Sequence, residues 1–202
     1  MKTLLFRRIV HVIVISFLIQ YPIFAQDYHK SLEHFQTELN EEFKNLNESP
    51  LSKREIKSFE GLPFFPIDEK YKVMAKFERT NSTSLYQLKT TANTMKSYDL
   101  YGIASFEFHG KEWKLNIYQS HQLRVQEKYK DYLFLPFTDQ TNGAETYGGG
   151  RYIDLSIPEG ERIEIDFNKA YNPFCAYNGG YACPIPPKEN DLALRIEAGV
   201  KK

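Results

Sequence analysis

Y-K-V-M-A-K-F-E, Tyr71 to Glu78, places Tyr71, Val73, Ala75 and Phe77 on one face of an extended chain and Lys72, Lys76 and Glu78 on the other. Successive side chains of a strand point to opposite faces, so a period of two predicts a half-buried strand rather than a helix. Similar runs follow near 84–90, 98–108, 112–119, 121–126, 131–137, 151–157, 162–167 and 192–198. Trp113, Leu115 and Ile117 alternate within one of them, and His109-Gly110 separates two runs where a tight hairpin needs residues tolerant of positive φ. Strands this closely spaced, with turns between them, imply antiparallel pairing. The expected fold class is therefore mainly β (α+β), an antiparallel barrel or strongly bent sheet.

Upstream of Gly61 the period is different. Leu32, Phe35, Leu39, Phe43 and Leu46 step by three and four residues, which sets them on one stripe of an amphipathic helix. Asn47-Glu48-Ser49-Pro50 breaks it, and Ser52 with Glu55 has capping-box spacing for a short second helix that ends near Gly61. The expectation is two N-terminal helices over 26–60, packed against a β-rich domain over 61–200.

Residues 1–25 have the layout of a secretory signal peptide. Lys2, Arg7 and Arg8 precede the apolar run Ile9–Ile19, and Tyr21-Pro22-Ile23-Phe24-Ala25 offers a cut after Ala25. Export to the periplasm or the extracellular space follows, with Gln26 as the first mature residue and no adjacent cysteine to carry a lipid. The apolar run is short for the roughly 20 residues of a membrane span, and no second run of that length follows, so no stable span is expected after cleavage. The chain carries 26 basic and 26 acidic residues, and the signal removes three basic and no acidic ones, leaving a formal charge of −3. A slightly acidic chain with scattered lysines lacks the basic footprint of a nucleic-acid binder. The full chain is 42% hydrophobic and 15% aromatic, which suits one globular domain with a real core.

The block Phe137 to Tyr152 breaks the strand rhythm with Gly143 and Gly148-Gly149-Gly150. Its spacing matches neither a P-loop nor a dinucleotide-binding fingerprint. The simpler reading is an irregular connection into a strand that begins at Arg151, with Asp139 and Thr141 capping a turn.

D-Q-T-N-G-A-E-T-Y-G-G-G-R-Y-I-D-L, from Asp139, D-F-N-K-A-Y-N-P-F-C-A-Y, from Asp166, and C-P-I-P-P-K-E-N-D-L, from Cys183, together resemble the bacterial family of uncharacterised proteins catalogued as domain of unknown function 1684. The resemblance covers Gly61 to Gly199 in outline, with its specific motifs in 139–190. It implies a domain boundary and a shared site, and no reaction.

Chemistry has then to be read from the residues. Cys175 and Cys183 are the two cysteines of the chain, and in an exported protein they read first as a disulfide. The chain-entropy model gives such a short loop about 2.5 kcal/mol. Zinc would need further ligands from His29, His34, His109 or His121, all distant in sequence, and a nucleophilic cysteine would need a base; no metal site is assigned. Asp139, Glu145, Tyr147, Arg151, Asp166, Asn168, Tyr171 and Asn172 form the candidate ligand-binding set, with Arg151 as the group that would grip a carboxylate or phosphate. The same residues also read as loop braces: Asp166 and Asn168 organising a turn, Arg151 bridging an acid. Three functions remain open. One is a domain that binds a small polar or anionic ligand in a pocket of the 139–190 motifs. The second is a hydrolase-type enzyme using Asp139, Glu145 or Asp166, and the third a structural or interaction protein of the cell envelope. No cofactor is identified.

Overall fold

A computed structural model describes residues 26–81 and 85–202, so the expected signal peptide lies outside the described residues. The chain divides into two compact units, Met1–Leu39 and Asn40–Lys202. The described part of the first is helical and belongs to α1 (26–44), which runs on into the second unit. Leu32 and Phe43 are buried on the expected stripe, but α1 ends before Leu46, which is exposed.

The second expected helix is corrected by the structure. α2 (Lys53–Lys57) has both halves of its capping box, yet spans five residues and buries none of them. Its sequence K-R-E-I-K offers Ile56 as its one apolar residue, and a cap without an apolar stripe gives no layer to pack. The expectation of two helices against the sheet therefore fails: among the described residues only α1 is of ordinary length.

Among the described residues eight strands form a half-barrel: β1 (Lys72–Arg79), β2 (Leu85–Lys89), β3 (Met95–Phe108), β4 (Lys111–Ser120), β5 (Tyr132–Asp139), β6 (Arg151–Ser156), β7 (Arg162–Asp166) and β8 (Asp191–Leu192). The order is β6-β5-β4-β3-β1-β7, with β2 added to β3 and β8 to β5. All pairings are antiparallel except β5 with β8. The alternation at 71–77 holds, with Tyr71, Ala75 and Phe77 buried and Lys72, Lys76 and Glu78 exposed. His109 and Gly110 turn the β3–β4 hairpin with φ of 53° and 71°, the pair of positive values a two-residue turn of this hand requires.

β3 changes partner at a bulge. Met95–Asp99 pair with β2, Gly102–Ser105 pair with β1, and the register against β4 shifts between Leu100 and Gly102. A Cβ on Gly102 would sit 2.4 Å from the Phe77 ring, so only glycine lets β1 approach here. The sheet has two apolar faces. Leu133, Leu135 and Phe137 of β5 and Ile153 of β6 point into the main core with Leu115, Ile117 and Phe167. Phe134 and Tyr152, one residue out of phase, point the other way and build a second cluster with Leu88, Tyr98 and Tyr118.

Two expected strands are absent. Residues 121–126 form turns closed by Arg124 N–H to Ser120 O and Gln126 N–H to Leu123 O, with Val125 80% exposed. Of 192–198, only Leu192 lies in a strand. Ile196 and Ala198 are nonetheless buried, so the alternation reported burial correctly while their backbone found side-chain partners instead of a ladder.

Candidate functional site

Those partners are the most prominent residues of the sequence motifs. Arg151 opens β6 and Asp139 closes β5; their fully buried side chains meet at 3.1 Å. The Arg151 guanidinium donates to Ile196 O at 2.8 Å and to Ala198 O, and Asp139 Oδ2 accepts Ile196 N–H at 2.8 Å and Thr141 N–H at 3.1 Å. Burial draws the Arg151 pKa below its ordinary value, and Asp139 opposes that shift. A charge pair buried this completely holds the C-terminal segment against the sheet. The expected capped turn at Asp139–Thr141 is present, as is an irregular glycine connection into Arg151. Gly150 has φ 90°, and a Cβ there would lie 2.7 Å from Phe137 O.

The remaining members of the set are dispersed. Glu145 pairs with Arg195 at 2.5 Å on the surface, which lowers its pKa. Tyr147 accepts through its carbonyl from Asn142 Nδ2 and Gly150 N–H, and its ring covers Gly149. Asp166 caps the turn at Phe167–Lys169, while the Asn168 side chain ties that turn to Asp68, its Oδ1 accepting Asp68 N–H at 3.1 Å and its Nδ2 donating to Asp68 O at 2.9 Å. Asn172 donates to Lys201 O at 2.9 Å and to the Tyr177 hydroxyl at 3.3 Å. Cys175 and Cys183 are joined by a disulfide. Thr91 anchors it to the β2–β3 turn, donating N–H to Cys183 O and accepting Cys183 N–H.

Tyr171 alone among the set faces the second aromatic cluster. Its backbone bridges Tyr152, and its hydroxyl donates to Asp154 Oδ1 at 2.6 Å; the Tyr132 hydroxyl donates to the same oxygen at 2.8 Å. Around them stand Tyr152, 5.9 Å from Tyr171 and 4.7 Å from Phe134 between ring centroids, and Tyr98, 5.7 Å from Phe134. Asp154 still reaches solvent, yet protein crowds it enough that desolvation is the largest influence on its pKa, upward, with the two tyrosine hydrogen bonds opposing. Glu42 is likewise pushed up, first by burial and then by Glu48 and Asp154. Desolvation and Asp154 drive the Tyr132 and Tyr171 hydroxyls well above their ordinary range, and burial takes Tyr98 to about 12. Among the described residues, no cationic side chain forms an ion pair with Asp154. The Tyr118 hydroxyl, buried beside the Tyr86 ring, lacks a hydrogen bond of good geometry.

Sequence reasoning named Tyr171 and passed over Tyr132, Tyr152 and Asp154. The signal for two of them was present: on a strand with Arg151 and Ile153 inward, Tyr152 and Asp154 must face outward together. Elsewhere, Asp99 holds His121 at 2.6 Å and Arg124, a cluster whose carboxylate is already neutralised. Among the described residues no three His, Cys, Asp or Glu side chains are placed to share a metal ion, and no helix is long and apolar enough to cross a membrane.

The fold is thus a β half-barrel whose motif residues close its C-terminal segment and whose opposite face carries a tyrosine-ringed carboxylate. Over residues 57–201 the chain matches the family described as protein of unknown function DUF1684, and it belongs to that family. An uncharacterised protein of Haloarcula marismortui, solved by solution NMR, is similar to it at 30% identity with a TM-score of 0.68, over 88% of this chain and 96% of that one. No curated protein matches the chain.

Proposed function

We propose that this chain is an exported domain, periplasmic or extracellular, that binds a small polar ligand, and that the seat of binding is the face bearing Tyr132, Asp154 and Tyr171. The observation that carries the reading is Asp154: an exposed carboxylate with one oxygen held by two tyrosine hydroxyls, at the edge of an aromatic cluster. Convergent polar groups among apolar walls are what a ligand site needs, and hydroxyls fixed to one oxygen pre-orient the other toward an incoming group. The disulfide is compatible with export.

Asp139 and Arg151 serve this reading as scaffold, because the terminal guanidinium nitrogens are turned to Ala198, Ile196 and Asp139, the carboxylate oxygens to Thr141, Ile196 and Arg151, and the remaining Arg151 Nε is buried away from solvent. A hydrolase reading gains little from the geometry: Asp139 faces Arg151, Glu145 faces Arg195, and Asp166 caps a turn. The test is an amide chemical-shift survey of the mature protein with a mixed set of neutral sugars, amines and carboxylates. Shifts grouped at Tyr132, Asp154 and Tyr171 are expected; shifts grouped elsewhere, or none, overturn the site.

A further inference from the structure

Resting on that reading, we propose that the ligand is a small organic cation, an alkylammonium or quaternary ammonium group, seated against the half-buried rings of Tyr132 and Tyr171 with its charge toward Asp154 Oδ2. Both tyrosine hydroxyls converge on Oδ1, so the second oxygen is the acceptor that remains. It carries charge without a cationic side chain to answer it among the described residues. Asp154 is exposed, so a ligand can reach it, and one oxygen fixed by two hydroxyls leaves the other turned to whatever cation a ligand would bring.

The other ligand classes fit less well. An anion would meet Asp154 and, within its electrostatic reach, Glu42, with no lysine or arginine ion-paired to either among the described residues. A hard metal ion wants about six oxygen ligands, and the described residues do not gather even three metal-ligating side chains at one place. A neutral sugar could stack on the rings, but would leave the two carboxylates repelling each other. An ammonium carrying alkyl groups answers both features: its charge relieves the acids, and its weakly hydrated surface is attracted to tyrosine faces. Glu42 and Asp154 are each pushed upward in pKa by desolvation, the direction that a bound cation would reverse.

The probes are choline chloride, its uncharged carbon isostere neohexyl alcohol, and sodium chloride at equal ionic strength, each titrated into the mature protein and followed by amide chemical shifts and calorimetry. Choline is expected to shift Tyr132, Asp154 and Tyr171, with neohexyl alcohol at least about tenfold weaker and sodium chloride inert, since the alcohol has the same shape and hydroxyl but lacks the charge that the carboxylate and the tyrosine faces attract, an attraction of about 1 kcal/mol or more at such a site. Asp154→Asn, which keeps an acceptor for the tyrosines, should abolish the preference for choline over the alcohol. Equal binding of the two probes by the wild type overturns the inference, as does binding of a neutral sugar at this face where choline gives nothing; in both cases the binding reading stands. Failure of every probe and of the mixed set defeats both. If Asp154→Asn does not fold, the wild-type comparison of choline with its isostere decides the matter alone.

Discussion

Replacing Arg151 with alanine removes one half of an ion pair that has no access to water. The wild-type guanidinium satisfies Asp139 at 3.1 Å and the carbonyls of Ile196 and Ala198, and both charged side chains are fully buried. Alanine strands the Asp139 carboxylate and leaves those two carbonyls short of a donor. Breaking a buried pair from one side costs about 3–5 kcal/mol, and the unsatisfied carbonyls push toward the upper end. For a domain of this size, roughly 2–4 °C of melting temperature goes with each kcal/mol, so a fall of about 6–20 °C is expected. The assay is guanidinium unfolding read by Trp113, the single tryptophan, together with calorimetric melting. Asp139→Ala should behave alike, and the double variant should lose clearly less than the sum of the two, because neither charge is then left alone. A melting temperature for Arg151→Ala within about 2 °C of wild type, equivalent to at most ~1 kcal/mol, would refute the reasoning and return Arg151 to the ligand-binding set.

Thiol alkylation without reductant should label neither Cys175 nor Cys183, and Cys175→Ser with Cys183→Ser should lower stability by about 2.5 kcal/mol in denaturant titration. Asn190→Ala should cost at least about 2 kcal/mol: its side chain accepts Asn116 N–H at 2.7 Å and donates to Asn116 O at 2.8 Å and Pro136 O at 2.7 Å, clamping β4 to β5, whose ladder pairs only Tyr118 with Phe134. Asp154 has a pKa raised in the folded state, so the native protein holds its proton longer than the unfolded chain does; its contribution to stability is present at acid pH and is lost as pH rises through that titration. Asp154→Asn should remove this slope from a melting-temperature profile across acid to neutral pH, and should leave the neutral-pH melting temperature unchanged or higher.

Local alternation was enough to reveal which residues go inward. Tyr71, Ala75 and Phe77, the hairpin at His109-Gly110 and the buried Ile196 and Ala198 all followed from period and turn chemistry, because a strand's two faces and a tight turn's φ values are properties of a few consecutive residues. The same local rules over-read 121–126, where Leu123 and Val125 alternate but no neighbouring strand takes the ladder, and 53–57, where a sound cap precedes a charged helix with nothing to bury. The polar set marked in the sequence as one ligand site was a list of strong hydrogen-bonding groups, and a list does not say who meets whom. Asp139 finds Arg151 12 residues away and Ile196 57 away; Tyr132 and Tyr171 reach Asp154 from 22 and 17 residues off. Those meetings are fixed by strand order, by register and by the bulge at Leu100/Gly102, where β3 changes partners. Register moves every side chain on a strand together, so only the assembled sheet decides that Arg151 enters the core to close it while Asp154, three residues on, faces outward to meet the hydroxyls of Tyr132 and Tyr171.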